Sequence, residues 1–348
     1  MSERIAFTCP TPAFEQTTIE LAHGGGGLLT HRLVDGIFRP AFSANIEDFT
    51  HDGAIVEING ARLAFTTDSF VVRPLFFPGG DIGTLAVNGT VNDLAMCGAE
   101  PLFLSAGFVI EEGFPLDDLR RVAASIGSAA HIAGVRLVTG DTKVVERGKG
   151  DGLYVNTAGV GSVLARTGCA PQNICPGDAV LLSGDIGRHG VAIMSVREGL
   201  GFESAIESDC APLGAVVKQL LSAGVTPHCL RDPTRGGLAT SLIEIAAAGR
   251  ANIRINGESI AVCEAVRGAC EILGIDPLYV ANEGRFIAIV PAGDAASALT
   301  ILRHAPGGEH AAIIGHVEAG DGRVLLRNLL GSDRILDMLT GEQLPRIC

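Results

Sequence analysis

Residues 64–101, "AFTTDSFVVRPLFFPGGDIGTLAVNGTVNDLAMCGAEP", decide the fold. The β-branched and aromatic residues up to Val72 predict a strand. The stretch from Gly80 onward predicts a helix with Leu85, Leu94 and Met96 among its buried positions. Asp68 stands at the end of the strand run, and Asn92-Asp93 lies among the apolar residues of the helix. An unpaired carboxylate in such a setting is costly, and a bound metal ion offsets that cost.

Working outward, strands and helices continue to alternate. "GAIVEI" (53–58) reads as a strand upstream; "PLFLSAGFVIEEG" (101–113), "VRLVTGDTKVV" (135–145) and "LYVNTAGVGSVL" (153–164) read as strands downstream, around a helix in "PLDDLRRVAASIGSAAHIAG" (115–134). "RTGCAPQNICPGD" (166–178) has the turn residues of a domain boundary. Beyond it, "AVLLSGDIG" (179–187), "RFIAIVP" (285–291) and "AAIIGHVE" (311–318) predict strands, and "PLGAVVKQLLSAG" (212–224) and "GGLATSLIEIAAAG" (236–249) predict helices. The fold class is therefore α/β or α+β, in two domains, at 51–165 and 177–330. Residues 1–50 form a lead-in with a glycine loop and an amphipathic helix carrying Leu28, Leu29, Leu33, Val34, Ile37 and Phe38. Residues 331–348 read as a tail that leaves the core.

Composition narrows the function. The 348 residues are 47% hydrophobic and 19% charged, which suits large cores and hints at a buried subunit interface. The net charge of −13 argues against non-specific nucleic-acid binding. No apolar run reaches the ~18 residues of a membrane span, and "MSERIAFTCP" is no signal peptide, so a cytoplasmic protein is expected. The nine cysteines form no C-x-x-C pair or zinc-finger spacing, so most are expected to pack as small apolar residues, Cys97 among them. Cys348, the last residue, does not fit that explanation.

Several segments carry chemistry. "HGGGG" (23–27) leads into a helix, so Gly24, Gly25, Gly26 and Gly27 offer a phosphate cradle or merely a flexible entry loop; no G-K-[ST] follows, so it is not a Walker A loop. Asp52, Asp68, Asp93 and Asp232 recur at strand and turn ends, where carboxylates serve Mg²⁺ or cap turns. "VTGDTKVV" (138–145) places Asp141, Thr142 and Lys143 after a strand in a polar loop, and the lysine there is either a phosphoryl neutraliser or a surface residue. Glu283 in "YVANEGRF" (279–286) is either a general base or the ion-pair partner of Arg285.

Together, "LAHGGGG", the stretch 64–101, "VTGDTKVV", "NTAGVG", "RDPTRGGLAT", "VANEGR" and the terminal "PRIC" resemble the HypE family, the carbamoyl dehydratases of NiFe-hydrogenase maturation. Without "PLFFPGGDIG" and "PRIC" the likeness is to the wider PurM-like superfamily of aminoimidazole ribonucleotide synthetase, selenophosphate synthetase and thiamine monophosphate kinase. The resemblance implies a two-domain PurM-like fold whose N-terminal sheet domain forms a homodimer, with ATP and Mg²⁺ as cofactors. It implies a carbamoyl group delivered to Cys348 by the carbamoyltransferase HypF, dehydrated with ATP to a thiocyanate, and cyanide passed to a HypC–HypD complex. It assigns Asp52, Asp68, Asp93 and Asp232 to the metal, and Gly24 to Gly27, Asp68, Asn92, Asp141, Thr142 and Thr234 to ATP. Lys143 and Glu283 would lie beside the modified thiol, with Glu283 the base. Some relatives carry two adjacent carboxylates where this chain has His51-Asp52. Extended, residues 341–348 reach roughly 25–30 Å, enough for the thiol to face outward and swing in. The competing readings are a small-molecule kinase or synthetase of the same superfamily, with no use for Cys348, and a scaffold whose thiol only carries cargo.

Overall fold

The computed structural model describes residues 18–42, 51–199, 206–328, 331–339, 344 and 346–348. Expectations for residues 1–17, 43–50, 200–205, 329–330, 340–343 and 345 lie outside these. After a 3₁₀ turn at Leu21–Gly24, helix α1 (Leu28–Leu33) runs through a π-helical turn (Val34–Phe38) into α2 (Arg39–Phe42). The first domain follows as β1 (Ala54–Ile58), β2 (Ala61–Phe70), the short β3 (Phe76–Phe77) and β4 (Gly80–Asp81), α3 (Ile82–Met96), β5 (Ala99–Glu111), α4 (Leu116–Ala133), β6 (Arg136–Val145) and β7 (Leu153–Val163). The second domain is β8 (Ala179–Leu182), α5 (Arg188–Arg197), α6 (Gly214–Ser222), β9 (Cys229–Arg231), α7 (Gly237–Gly249), β10 (Ala251–Asn256), α8 (Glu264–Leu273), β11 (Ile287–Val290), α9 (Ala295–His304), β12 (Ala312–Ala319), β13 (Val324–Arg327) and β14 (Asp333–Leu336). The first sheet has the order β1-β2-β7-β5-β6 and the second β14-β13-β10-β12-β8-β11-β9.

Helix α3 joins the two domains. Asp81 caps it, accepting from the backbone of Gly83 (2.7 Å) and Thr84 (2.9 Å), while Thr84 Oγ1 accepts from the Asp81 N–H (2.8 Å). It is buried nearly all round, as a helix sandwiched between two layers must be. Its glycine at 89 is required, because a Cβ there would sit 2.8 Å from the Phe70 ring. Asn92 faces the second domain: its Nδ2 donates to Ala211 O (3.1 Å) and Glu283 O (3.2 Å), and its Oδ1 accepts from Leu213 N (2.8 Å).

Two expectations are corrected. The helix after the glycine loop buries its apolar stripe only in part: Leu28, Leu29, Leu33 and Val34 are half-buried, while Ile37, Phe38 and the following Phe42 are exposed, with Phe38 and Phe42 stacked on each other. The segment meets the second domain through His31 and Glu244, and Val34, Asp35 and Arg39 line a cavity shared with residues of α7. The stretch 331–348 does not simply leave the core either. β14 adds an antiparallel strand to β13, and Leu344 and Ile347 are buried in the core cluster that contains Phe70 and Val191. The predicted buried helix, the strands of both domains and the apolar burial of Cys97 match the structure.

Candidate active site

Three carboxylates meet where the two domains touch. Asp52 precedes β1, Asp93 lies in the last turn of α3, and Asp232 follows β9; their oxygens all lie within 4.8 Å of one another. Burial, then the charges of Asp232, Asp52 and Asp68, pushes Asp93 well above the usual carboxylate range. Burial, then Asp52, does the same to Asp232. Burial lifts Asp52 to about 6 although Arg231 opposes it, and burial also raises Asp68. Thr66 Oγ1 donates to Asp93 Oδ2 (2.8 Å), but Asp52 Oδ2 is buried with no hydrogen-bond partner among the described residues. Hard oxygen donors, excess negative charge and an orphaned oxygen fit a divalent cation such as Mg²⁺. Beside them, the Cys97 thiol is pushed well up by burial, then by Asp52 and Asp93, which leaves it inert.

A chain of charges runs outward from this cluster towards the surface. Arg231 Nε donates to Asp52 Oδ1 (2.8 Å), and its guanidinium also reaches Glu244 on α7 (2.7 Å). Glu244 holds His31 of α1 at 2.9 Å, and that bond raises the His31 pKa. The glycine loop is fixed at the same place: Arg235 Nη1 donates to Gly24 O (3.2 Å), and Leu28 N donates to Leu339 O (3.1 Å). Gly26 has φ +76°, and a Cβ there would meet Arg235 Cβ at 2.9 Å. Between loop and α7 lies a cavity of about 500 Å³, lined by Gly26, Thr30, His31, Arg231, Thr234 and Arg235 among others.

The end of the chain reaches the same interface. Val71 N donates to Cys348 O (3.1 Å) and Arg73 N to Arg346 O (3.1 Å), so the last residues lie along the segment that follows β2. His189 is buried and held below its usual pKa by that burial; it bonds Ile347 O through Nε2 (2.6 Å) and Ser208 Oγ through Nδ1 (2.8 Å). Arg346 adopts φ +56°, an uncommon conformation for a side-chain-bearing residue, and is anchored by Val71 O (3.1 Å) and an ion pair with Asp151. Its carbonyl accepts from Arg197 (2.8 Å). We expect Asp151→Asn to loosen these residues, so that carboxypeptidase trims the chain end faster while the melting temperature stays within a few degrees. Unchanged trimming would show that the ion pair holds nothing.

Arg235 ties the parts together. The charge at Cys348, then Asp68 and Glu283, raise the pKa of this solvent-exposed guanidinium. Glu283 is 3% exposed, and burial, then Asp232 and Asp209, pushes it well above the usual range. Its Oε1 has no hydrogen-bond partner among the described residues. The loop that carries it is fixed from below, since Asp209 Oδ2 accepts from the backbone N–H groups of Glu283 (3.2 Å) and Gly284 (3.0 Å). A thiol-bearing chain end, a cation, an uncommitted carboxyl and a metal-ready carboxylate cluster thus share one interface.

Comparisons with known proteins agree. The family models for AIR synthase related proteins match, the N-terminal domain at residues 50–163 and the C-terminal domain at 175–327. The carbamoyl dehydratase HypE of Azotobacter vinelandii is 51% identical over 95% of this chain and 97% of its own. That of Escherichia coli is 45% identical over 95% and 99%. The chain belongs to the HypE carbamoyl dehydratase family. A HypE crystal structure in complex with ATP is 48% identical, with TM-score 0.81, over 95% of this chain and 100% of that one. HypE in a HypE–HypF complex is 45% identical, with TM-score 0.83, over 88% and 99%. Thiamine monophosphate kinase of Aquifex aeolicus, at 15% identity and TM-score 0.65, shares the fold alone. The family makes this chain an enzyme of hydrogenase maturation rather than a small-molecule kinase.

As a HypE protein, the chain brings Asp52, Asp68, Asp93, Asp232, Glu283, Cys348, Thr234 and the glycine loop to one region. Other expectations need correction. Asp141, Thr142 and Lys143 lie within β6, not in a loop. Strand pairing sets Asp141 beside Gly107 and Lys143 beside Val109, on the sheet face opposite Asp68. Lys143 there binds Asp141 (2.6 Å) in solvent, so within one chain it is not beside the thiol. Asn92 uses both ends of its amide on the second-domain backbone, so it clamps the domains rather than facing a nucleotide. Arg285 pairs with Asp185 (2.7 Å), not Glu283. The reading from sequence missed Arg231 and Arg235, although both stand in "RDPTRGG"; His31 and Glu244 meet across 213 positions and leave no local signal.

Proposed function

We propose that this chain carries a carbamoyl group on Cys348 and dehydrates it with ATP to a thiocyanate, the source of the cyanide ligand of a hydrogenase. The observation that carries the reading is the docking of the Cys348 end at the interface that holds Arg235, Glu283 and the carboxylate cluster. HypF is the proposed carbamoyl donor and a HypC–HypD complex the acceptor; a relative in complex with HypF supports the first.

The chemistry follows from the parts. Hydroxide is a poor leaving group, so the thiocarbamate S–C(=O)–NH₂ does not shed water unaided. Its carbonyl oxygen attacks the γ-phosphorus of ATP and ADP leaves, while one N–H proton is lost. The C–O bond then breaks with phosphate departing, and Glu283 takes the second N–H proton to leave S–C≡N. Arg235, whose pKa the charges at Cys348, Asp68 and Glu283 raise, would neutralise charge on the transferring oxygen. Asp52, Asp93 and Asp232, with Asp68 nearby, would hold Mg²⁺, which shields the phosphates' charge when bound. Gly24 to Gly27 and Thr234 border the cavity or loop beside it and are proposed to hold the nucleotide.

We also propose a cytoplasmic homodimer. The face of the first sheet opposite α3 carries Val56, Ile58, Phe65, Phe103 and Val109, all exposed. A patch of that kind is usually covered by a partner. Asp141 and Lys143 lie on that same face, so a second copy is the route by which they reach a site. Phe65→Asp with Val109→Asp should give monomers by sedimentation; an unchanged mass would remove both the dimer surface and this role for Lys143.

Phosphate release tests the central reaction. With HypF, carbamoyl phosphate, ATP and Mg²⁺, phosphate should appear in step with carbamoylated chain and stop when it is consumed. Release independent of carbamoylation would favour a small-molecule kinase or synthetase.

A further inference from the structure

We propose that Cys175, Asp178 and His228 form a second metal site, for a borderline-soft divalent transition ion such as zinc. It lies apart from the carboxylate cluster. His228 immediately precedes β9 and Asp232 immediately follows it, so the two are separated by roughly 13 Å of extended chain.

The donor set is mixed: one sulfur, one carboxylate oxygen and one imidazole nitrogen, all within 4.8 Å of one another. Tetrahedral zinc, with bonds of about 2.0–2.3 Å, needs its ligand atoms roughly 3.3–3.8 Å apart, so small side-chain adjustments close the site. Thiolate, carboxylate and neutral imidazole together carry the two negative charges that balance a divalent ion. A thiolate in the set excludes Mg²⁺ as the natural occupant. Asp178 is buried, His228 is half-buried and Cys175 is exposed, which leaves a fourth position open to water or a small ligand.

The backbone beneath these side chains is fixed from several directions. Gly177 N donates to Val317 O (2.8 Å), and Val317 N to Asp178 O (2.9 Å). His228 N donates to Ile289 O (2.8 Å), and Ala170 N to His228 O (3.0 Å). Asp178 Oδ2 accepts from Cys175 N and from His228 Nδ1, both at 2.7 Å. Those two bonds make a turn clamp that uses only the backbone of residue 175; its thiol donates one weak bond, to Asn173 O (3.5 Å), which a metal ion would replace.

Cobalt(II) reports on such a site directly, because a thiolate ligand gives it a near-ultraviolet charge-transfer band that carboxylates do not. The experiment titrates Co²⁺ into the full-length chain carrying Cys348→Ala, so that the terminal thiol plays no part. One equivalent should develop the band, and Zn²⁺ should displace it. Cys175→Ser, an exposed change that spares the fold, should remove the band; His228→Ala should weaken binding at least tenfold; Asp232→Asn should leave both unchanged. No band, a band that survives Cys175→Ser, affinity unmoved by His228→Ala, or loss in Asp232→Asn would each overturn the proposal.

Discussion

Cys348→Ala should abolish both the carbamoyl adduct and carbamoylation-dependent phosphate release, while the chain still folds and binds ATP. The side chain at 348 is only partly buried, at the edge of the core cluster that contains Phe70, and the Val71, His189 and Arg346 contacts that hold the terminus do not use its thiol. The Ile347 carbonyl, the Arg346 anchor and the Val71 N–H all remain available to the alanine variant. Its melting temperature should therefore stay within a few degrees, and so should its affinity for Mg²⁺–ATP, measured by calorimetry. Loss of folding together with the adduct would mean that the thiol is a packing element. A persistent adduct would place the carrier on another cysteine, for which partly buried Cys210, near Glu283, is the first to examine.

Glu283→Gln should separate carrying from dehydration. Carbamoylation should proceed, but water loss should slow by about 10²- to 10⁴-fold, the usual contribution of a positioned general base. The pH dependence has a definite sign. Burial and Asp232 favour the protonated form of Glu283 in the folded chain, so its proton leaves at higher pH than that of an ordinary glutamate. Dehydration by the natural chain should rise with pH through that displaced titration, and the Glu283→Gln variant should lack the rise. Stability moves the other way. Above the ordinary glutamate pKa the unfolded chain has released this proton and the folded chain has not, so stability falls as pH rises until Glu283 ionises in the fold. Glutamine removes that loss, and Glu283→Gln should be as stable as the natural chain or more so above neutral pH. A variant both inactive and strongly destabilised would point to a structural carboxyl, despite the unpartnered Oε1.

Much of this was legible because it is local. A strand run into a buried helix with a carboxylate in each is visible within residues 64–101, and in the fold the charge of Asp68 acts on Asp93. Lys143 was misread because "TGDTK" has the composition of a loop, yet β5 supplies a parallel partner that makes it an edge strand. The helix after the glycine loop was legible from its apolar spacing, but the exposure of Ile37 and Phe38 at its far end was not. Arg235, Glu244 and His31 act through partners more than a hundred positions away, which no local pattern carries. The docking of the chain end depends on Asp151 and on His189 and Arg197 of α5, all more than a hundred positions from it. The family resemblance supplied the role of Cys348; the structure supplies the groups that face it.

Intact-protein mass spectrometry tests the central claim most directly. The full-length chain is mixed with HypF, carbamoyl phosphate, ATP and Mg²⁺, and its mass is followed with time. We expect a gain of one carbamoyl group and then the loss of one water, with peptide mapping placing both on the terminal peptide that holds Cys348. A carbamoyl gain without water loss, or an adduct elsewhere on the chain, would contradict dehydration at the docked terminus.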